Sequence, residues 1–247
     1  MSIELAPYER LAKEAVATFW ESRSRAKARP GGGRDVGNRG LVTGGKNLDG
    51  FYDLVRHIVY ANGLQADAFF CGAGETAVER HTVLPGFYRP VKDWDVVVLH
   101  GGHLVAAIEL KSQIGSLGNN FNNRAEEAIG MGEDIRVAYR EGLLGQQSRP
   151  FVGYLTLVED SERSTRPVRS TSKHFDIDHV FDGASYADRY DELCRRLVRE
   201  GLYDSATLLL SSPETGPDGV YREAAPDTGL KAFVARLAAR VAEAAAA

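Results

Sequence analysis

Asp95-Val96-Val97-Val98-Leu99, then Gly101-Gly102, then Val105-Ala106-Ala107-Ile108-Glu109-Leu110-Lys111 is the stretch that decides the fold. Short apolar, β-branched runs on either side of paired glycines signal a β-hairpin, and neither run has helical spacing. Two carboxylates and a lysine stand where these runs begin and end. Side chains alternate faces along a strand, so the length of the turn decides which residues meet. A three-residue turn at 101–103 sets Asp95 opposite Glu109, with Lys111 on the same face. A two-residue turn at Gly101-Gly102 would instead put the two acids on opposite faces, so a shared site requires an odd-length turn. Like charges directly across a strand pair destabilise a sheet by roughly 0.2–1 kcal/mol, and a divalent cation removes that penalty.

Two carboxylates able to hold Mg²⁺, with a lysine two residues on, suit the hydrolysis of a phosphodiester. The metal polarises a phosphoryl oxygen and lowers the pKa of a bound water, while the lysine orients that water and offsets developing negative charge. Asp93 competes with Asp95 for the metal-binding role; Asp95 is preferred because it leads directly into the apolar run. Glu75 is a further candidate acid. A Glu-Leu-Lys tripeptide alone is common at solvated helix and strand ends, so the rest of the chain has to decide.

Four segments carry a specific resemblance: Leu84-Pro85-Gly86-Phe87-Tyr88-Arg89-Pro90, Lys92-Asp93-Trp94-Asp95, Glu109-Leu110-Lys111-Ser112-Gln113, and the run from Asn119 to Gly130 that contains Asn120, Asn122 and Arg124. Together they resemble the XhoI family of type II restriction endonucleases, within the PD-(D/E)XK nuclease superfamily. Pro90 and Asp95 form a stretched first half of that signature and Glu109-Leu110-Lys111 its second half. The resemblance implies an α/β restriction-endonuclease-like core, with a mixed central sheet flanked by helices. It implies Asp95, Glu109 and the Leu110 backbone carbonyl as Mg²⁺ ligands and Lys111 as the residue that positions the attacking water. It further implies a homodimer that cuts double-stranded DNA at the palindrome CTCGAG, after the first C, to leave 5′ overhangs. A cognate DNA methyltransferase acting on the same sequence is the implied partner. Other readings are a repair or junction-resolving nuclease of the same superfamily, or a DNA-binding protein without catalysis.

A chain of 247 residues can bury a sizeable core. One endonuclease domain over 1–247 is expected: an N-terminal helical part with a basic, glycine-rich loop (1–64), a catalytic core (65–160) and a C-terminal part completing the fold (161–247). The sequence has neither a membrane-spanning apolar run nor a signal-peptide pattern, so a bacterial cytoplasmic location is the expectation. Net charge is −4, which says less about a nucleic-acid partner than its distribution does. Arg23, Arg25, Lys27, Arg29, Arg34, Arg39 and Lys46 make 23–46 basic, and Arg163, Arg166, Arg169 and Lys173 form a second cluster in a Ser/Thr-rich loop. DNA contact is expected from both clusters. The second, together with Asn119, Asn120, Asn122 and Arg124, supplies the candidate readers of base edges; the asparagines serve equally well as helix caps.

Apolar spacing predicts helices through Tyr8–Trp20, Leu48–Val59, Tyr186–Val198 and Leu230–Val241, and another from about Asn123 with an Asn123/Glu126 capping box. Strands are predicted near 82–88, in the hairpin, over Phe151–Val158 and over Thr207–Leu210. The first of these completes a three-strand meander with the hairpin, and Phe151–Val158 runs parallel after the helical crossover. The alanine-rich end, 242–247, is expected to fray. Several signals carry nothing further. Gly40–Asn47 nearly matches a phosphate-binding loop but has Asn where the metal-binding Ser/Thr belongs. His100 and His103 flank the hairpin turn, and Cys71 and Cys194 lack metal-ligand spacing.

Overall fold

The computed structural model describes residues 3–28, 48–72 and 81–247. The central hairpin joins β4 (Val96–His100) to β5 (His103–Gln113), and its turn has two residues, not the expected three. Gly101 and Gly102 have φ of +57° and +80°, the pair of positive values that a tight turn matched to strand twist requires and that glycine adopts without strain. His100 pairs with His103 and Leu99 with Leu104, after which the register shifts, so that Val98 pairs with Ala106, Val97 with Ala107 and Val96 with Ile108. Val105 is the extra residue, a β-bulge. The bulge supplies the odd residue that the turn lacks, and the continued register places Asp95 across from Glu109.

The other strands are β1 (Phe69–Cys71), β2 (Val83–Pro85), β3 (Val91–Asp93), β6 (Phe151–Glu159), β7 (Ser205–Ser211) and β8 (Arg222–Glu223). The main sheet has the order β1-β4-β5-β6-β7-β8. β5 and β6 are parallel, as are β6 and β7, and the remaining pairings are antiparallel. This is the mixed sheet expected. The meander, however, is completed by β1, not by the segment near 82–88. That segment contributes only β2, which pairs with β3 as a separate two-stranded ribbon. Pro85 and Pro90 lack the N–H donors a central strand needs, which explains why this segment stays off the sheet.

The helices are α1 (Tyr8–Ala28), α2 (Asp49–Ala61), α3 (Leu117–Arg140), the short α4 (Glu162–Thr165), α5 (Tyr186–Arg199) and α6 (Leu230–Ala245). α1, α2 and α6 cover one face of the sheet, with Val96, Val98, Ile108, Leu110 and Leu155 among the buried residues beneath them. α3 and α5 cover the other, over Val97, Ala107, Tyr154 and Leu208. Each fully buried aliphatic side chain contributes roughly 1.5–3 kcal/mol. Since Ala107 faces α3, alternation turns Glu109 and Lys111 the same way.

α3 begins at Leu117, not at Asn123, after Ser116 in a left-handed conformation (φ +47°) that makes no side-chain cap. The expected Asn123/Glu126 box is therefore inside the helix, and Asn119, Asn120 and Asn122 are helical residues and not caps. α6 continues through Ala245 where fraying was expected. Alanine is the best helix former, Ala244 packs on the core and Ala245 lies against Gly63. No helix of the described residues is long and apolar enough to cross a membrane.

Candidate active site

The acids and the lysine meet at the mouth of β4. Asp95 Oδ2 accepts from the Leu110 amide at 2.8 Å, which ties the residue entering β4 to the strand that carries Glu109. Glu109 is 2% exposed, and Lys111 donates to its Oε1. Lys111 Nζ also lies 4.0 Å from Asp95 Oδ2. Burial first, and then the charge of Glu109, push the Asp95 carboxyl up to about 6. Burial alone would lower the Lys111 ammonium, but Glu109 and Asp95 outweigh it and hold it above the ordinary lysine range. Lys111 is thus charged at neutral pH.

One residue that sequence reasoning missed completes the cluster. Lys92, on β3, reaches Glu109 Oε2 at 3.0 Å and lies over the Trp94 ring, 5.3 Å from its centroid. The ribbon that carries it is locked onto α3 by Asp134, a buried acid within an otherwise apolar helix face. Its carboxylate accepts from the amides of Phe87 and Tyr88, both at 2.8 Å, and from Arg89 Nε at 2.6 Å. The sequence signal for Asp134 is an acid set between Met131, Ile135 and Ala138 at inward helical spacing. The segment Leu84–Pro90 is thereby a buttressed loop at the rim of the site. A cleft of about 770 Å³ runs between ribbon and helix, lined by Tyr88, Arg89, Lys92, Glu109, Lys111 and Arg124 among others.

The remaining candidates divide. Arg124 lines this cleft and pairs with Glu127 at 2.6 Å. Asn119 meets Arg163 and Arg166 in a second cleft of about 690 Å³ at the start of α3, although these residues are far apart in sequence. Asn120 is half-buried, Asn122 is exposed, and Arg169 and Lys173 are exposed on the segment after α4. Asp93 is exposed on β3 and accepts from Thr82 at 2.7 Å. Glu75 lies outside the described residues, as do Arg29, Arg34, Arg39, Lys46 and the near-match to a phosphate loop; the side chain of Lys27 is not described. Arg23, expected on a basic DNA-facing surface, is instead buried at 6% exposure against the Phe19 ring. Its long aliphatic stem suits that apolar contact, and Arg25 pairs with Glu21 at 2.9 Å.

Comparison with known proteins places the chain in a family. The family described as restriction endonuclease XhoI matches residues 27–223. The chain belongs to the XhoI family. It is 51% identical over 202 residues to the type II restriction enzyme XhoI of Xanthomonas vasicola, covering 81% of this chain and 79% of that protein. It is 41% identical over 216 residues to the type II restriction enzyme BstVI of Geobacillus stearothermophilus (85% and 93%), and 49% identical over 179 residues to the type II restriction enzyme AbrI of Azospirillum brasilense (71% and 77%). No solved structure matches. The chain is a type II restriction endonuclease, and DNA is its substrate.

Asp95 and Glu109 fit a hard divalent cation. The register sets the two residues opposite each other on adjacent strands, and burial together with the charge of Glu109 raises the Asp95 carboxyl, a penalty that a bound cation would relieve. Among the described residues no group of three or more His, Cys, Asp and Glu gathers. A two-carboxylate set of this kind suits Mg²⁺, which binds one or two acids and takes its other ligands from water and substrate phosphate.

Proposed function

We propose that this chain is a Mg²⁺-dependent type II restriction endonuclease that cuts double-stranded DNA at CTCGAG, after the first C, leaving 5′ overhangs. The convergence of Asp95, Glu109 and Lys111 on one face, with Glu109 and Lys111 lining a cleft that Arg89, Lys92 and Arg124 also line, is the observation that carries this reading. Asp95 and Glu109 would hold the metal. The Leu110 amide points toward Asp95, away from β6, and in an extended strand the carbonyl of the same residue points the same way, so it supports that carbonyl as a third ligand. When bound, Mg²⁺ polarises the phosphoryl oxygen and makes water more acidic. Lys111, charged as it is, has no lone pair with which to take a proton. It orients the attacking water in line with the leaving oxygen and offsets the charge that develops there. Arg89 and Arg124 hold the backbone phosphates, and the Asn119, Arg163 and Arg166 cluster, with Asn120, Asn122, Arg169 and Lys173, faces the duplex beyond it.

A palindromic target implies a twofold dimer in which each subunit cuts one strand. It also implies a methyltransferase that protects the same sequence in the host, with both proteins meeting DNA in the bacterial cytoplasm. Digestion of an unmethylated plasmid with one CTCGAG site tests the reading. A single linear product, dependent on Mg²⁺, whose sequenced ends lie after the first C supports it. Cleavage at another fixed sequence would reject the target, and structure-dependent cleavage would favour a repair or junction enzyme.

A further inference from the structure

Glu109 is the most enclosed acid of the site, and a lysine engages each of its oxygens: Lys111 at Oε1 and Lys92 at Oε2. Each oxygen keeps a second lone pair, but an ammonium at both oxygens offsets the charge that would attract a metal, so binding one favours displacing an ammonium. The two lysines are not equivalent. Lys111 sits on the central strand and is drawn by two acids, Glu109 and Asp95. Lys92 comes from the ribbon; among the described residues its ion-pair partner is Glu109 alone, and its ammonium also donates to the Asp93 carbonyl. It forms part of the wall of the open cleft, which Arg89 and Arg124 also line, so its long side chain has open space into which to move.

We propose that Lys92 is the resident counter-cation of Glu109, holding the buried carboxylate in place before the metal arrives and yielding to it. Its released ammonium then meets the phosphodiester in the cleft. Lys92 is thus a positioning residue for Glu109 in the free protein and a phosphate-binding residue in the loaded one. This rests on the nuclease reading above.

The test is Mn²⁺ binding to the full DNA-free chain, followed by the electron paramagnetic resonance signal of the free ion. Lys92→Met keeps the length and removes the charge that competes with the metal, so it should bind Mn²⁺ about tenfold more tightly, while Lys92→Arg stays near wild type. Single-turnover cleavage by Lys92→Met should nonetheless fall by about tenfold or more. Unchanged or weaker Mn²⁺ binding by folded Lys92→Met would overturn the proposal. A second readout needs no variant: Mg²⁺ added to wild type should change the emission of Trp94 as Lys92 leaves its ring, over a constant background from Trp20, which is enclosed beside Ser211. No change in that emission counts against the proposal. Glu109→Gln separates the two levels of inference. If it binds Mn²⁺ like wild type, the metal site itself is misassigned; if it loses Mn²⁺ while Lys92→Met is unchanged, only the role of Lys92 fails.

Discussion

Asp95 shows what gathering two acids in a half-buried site costs in stability. Its carboxyl is pushed up to about 6, so folding of the metal-free protein favours the protonated acid. That contribution is complete below the unfolded carboxyl value, about 3.9, and is lost as pH rises through about 6. Asp95→Asn, whose amide oxygen can still accept from Leu110, should therefore stabilise the metal-free protein by about 1–2 kcal/mol at pH 7.5 and change it little at pH 4. Denaturant melts at the two pH values measure this, and destabilisation at pH 7.5 would contradict it. Cleavage needs the ionised acid, so its acid limb should move to lower pH as Mg²⁺ is raised. At this scale Asp95, Glu109 and Lys111 were legible in the sequence, because alternation along two adjacent strands fixes which side chains meet. Lys92, Arg89 and Asp134 were not, because their meeting depends on how a remote ribbon docks on a helix, and no local period encodes that.

Two elements position the site, and each can be altered separately. The hairpin reaches the catalytic register through Val105, not through its turn. Deleting Val105 should leave a regular two-residue hairpin that still pairs Val98 with Ala106 and hence Asp95 with Glu109. Cleavage should survive within about tenfold, with about 1–3 kcal/mol of stability lost from the missing buried valine. A folded deletion variant without cleavage would contradict that reading. The requirement for an odd residue was legible in the sequence, but its location was not: the paired glycines specify the tight turn, whereas a bulge depends on how the whole ladder packs. The ribbon depends on Asp134 in the same way. Burial opposes its ionisation, yet the bonds from Arg89, Tyr88 and Phe87 hold its carboxyl below the ordinary range. Its stabilising share is present at neutral pH and is lost as pH falls through that depressed value. Asp134→Ala should cost about 1–3 kcal/mol in a melt at pH 7.5 and lower cleavage by loosening the loop that carries Arg89 and leads to Lys92. An unchanged melting profile would show that the loop is held by other contacts.

Over the whole molecule, the layered α/β architecture was legible from apolar periodicity, and the site falls where an antiparallel hairpin joins the parallel part of the sheet. A net charge of −4 coexists with Arg89, Lys92, Lys111 and Arg124 in one cleft and Arg163 and Arg166 in another, so DNA binding through these cations should weaken with salt. The convergence of the acids and lysine is the central claim, and Lys111→Ala tests it most directly. Supercoiled plasmid with one CTCGAG site would be followed in Mg²⁺, and binding of the same site in Ca²⁺, for wild type and variant side by side. The expected result is that wild type linearises the plasmid while Lys111→Ala still binds the site and leaves the plasmid supercoiled. Cutting by Lys111→Ala at the wild-type rate would contradict the account.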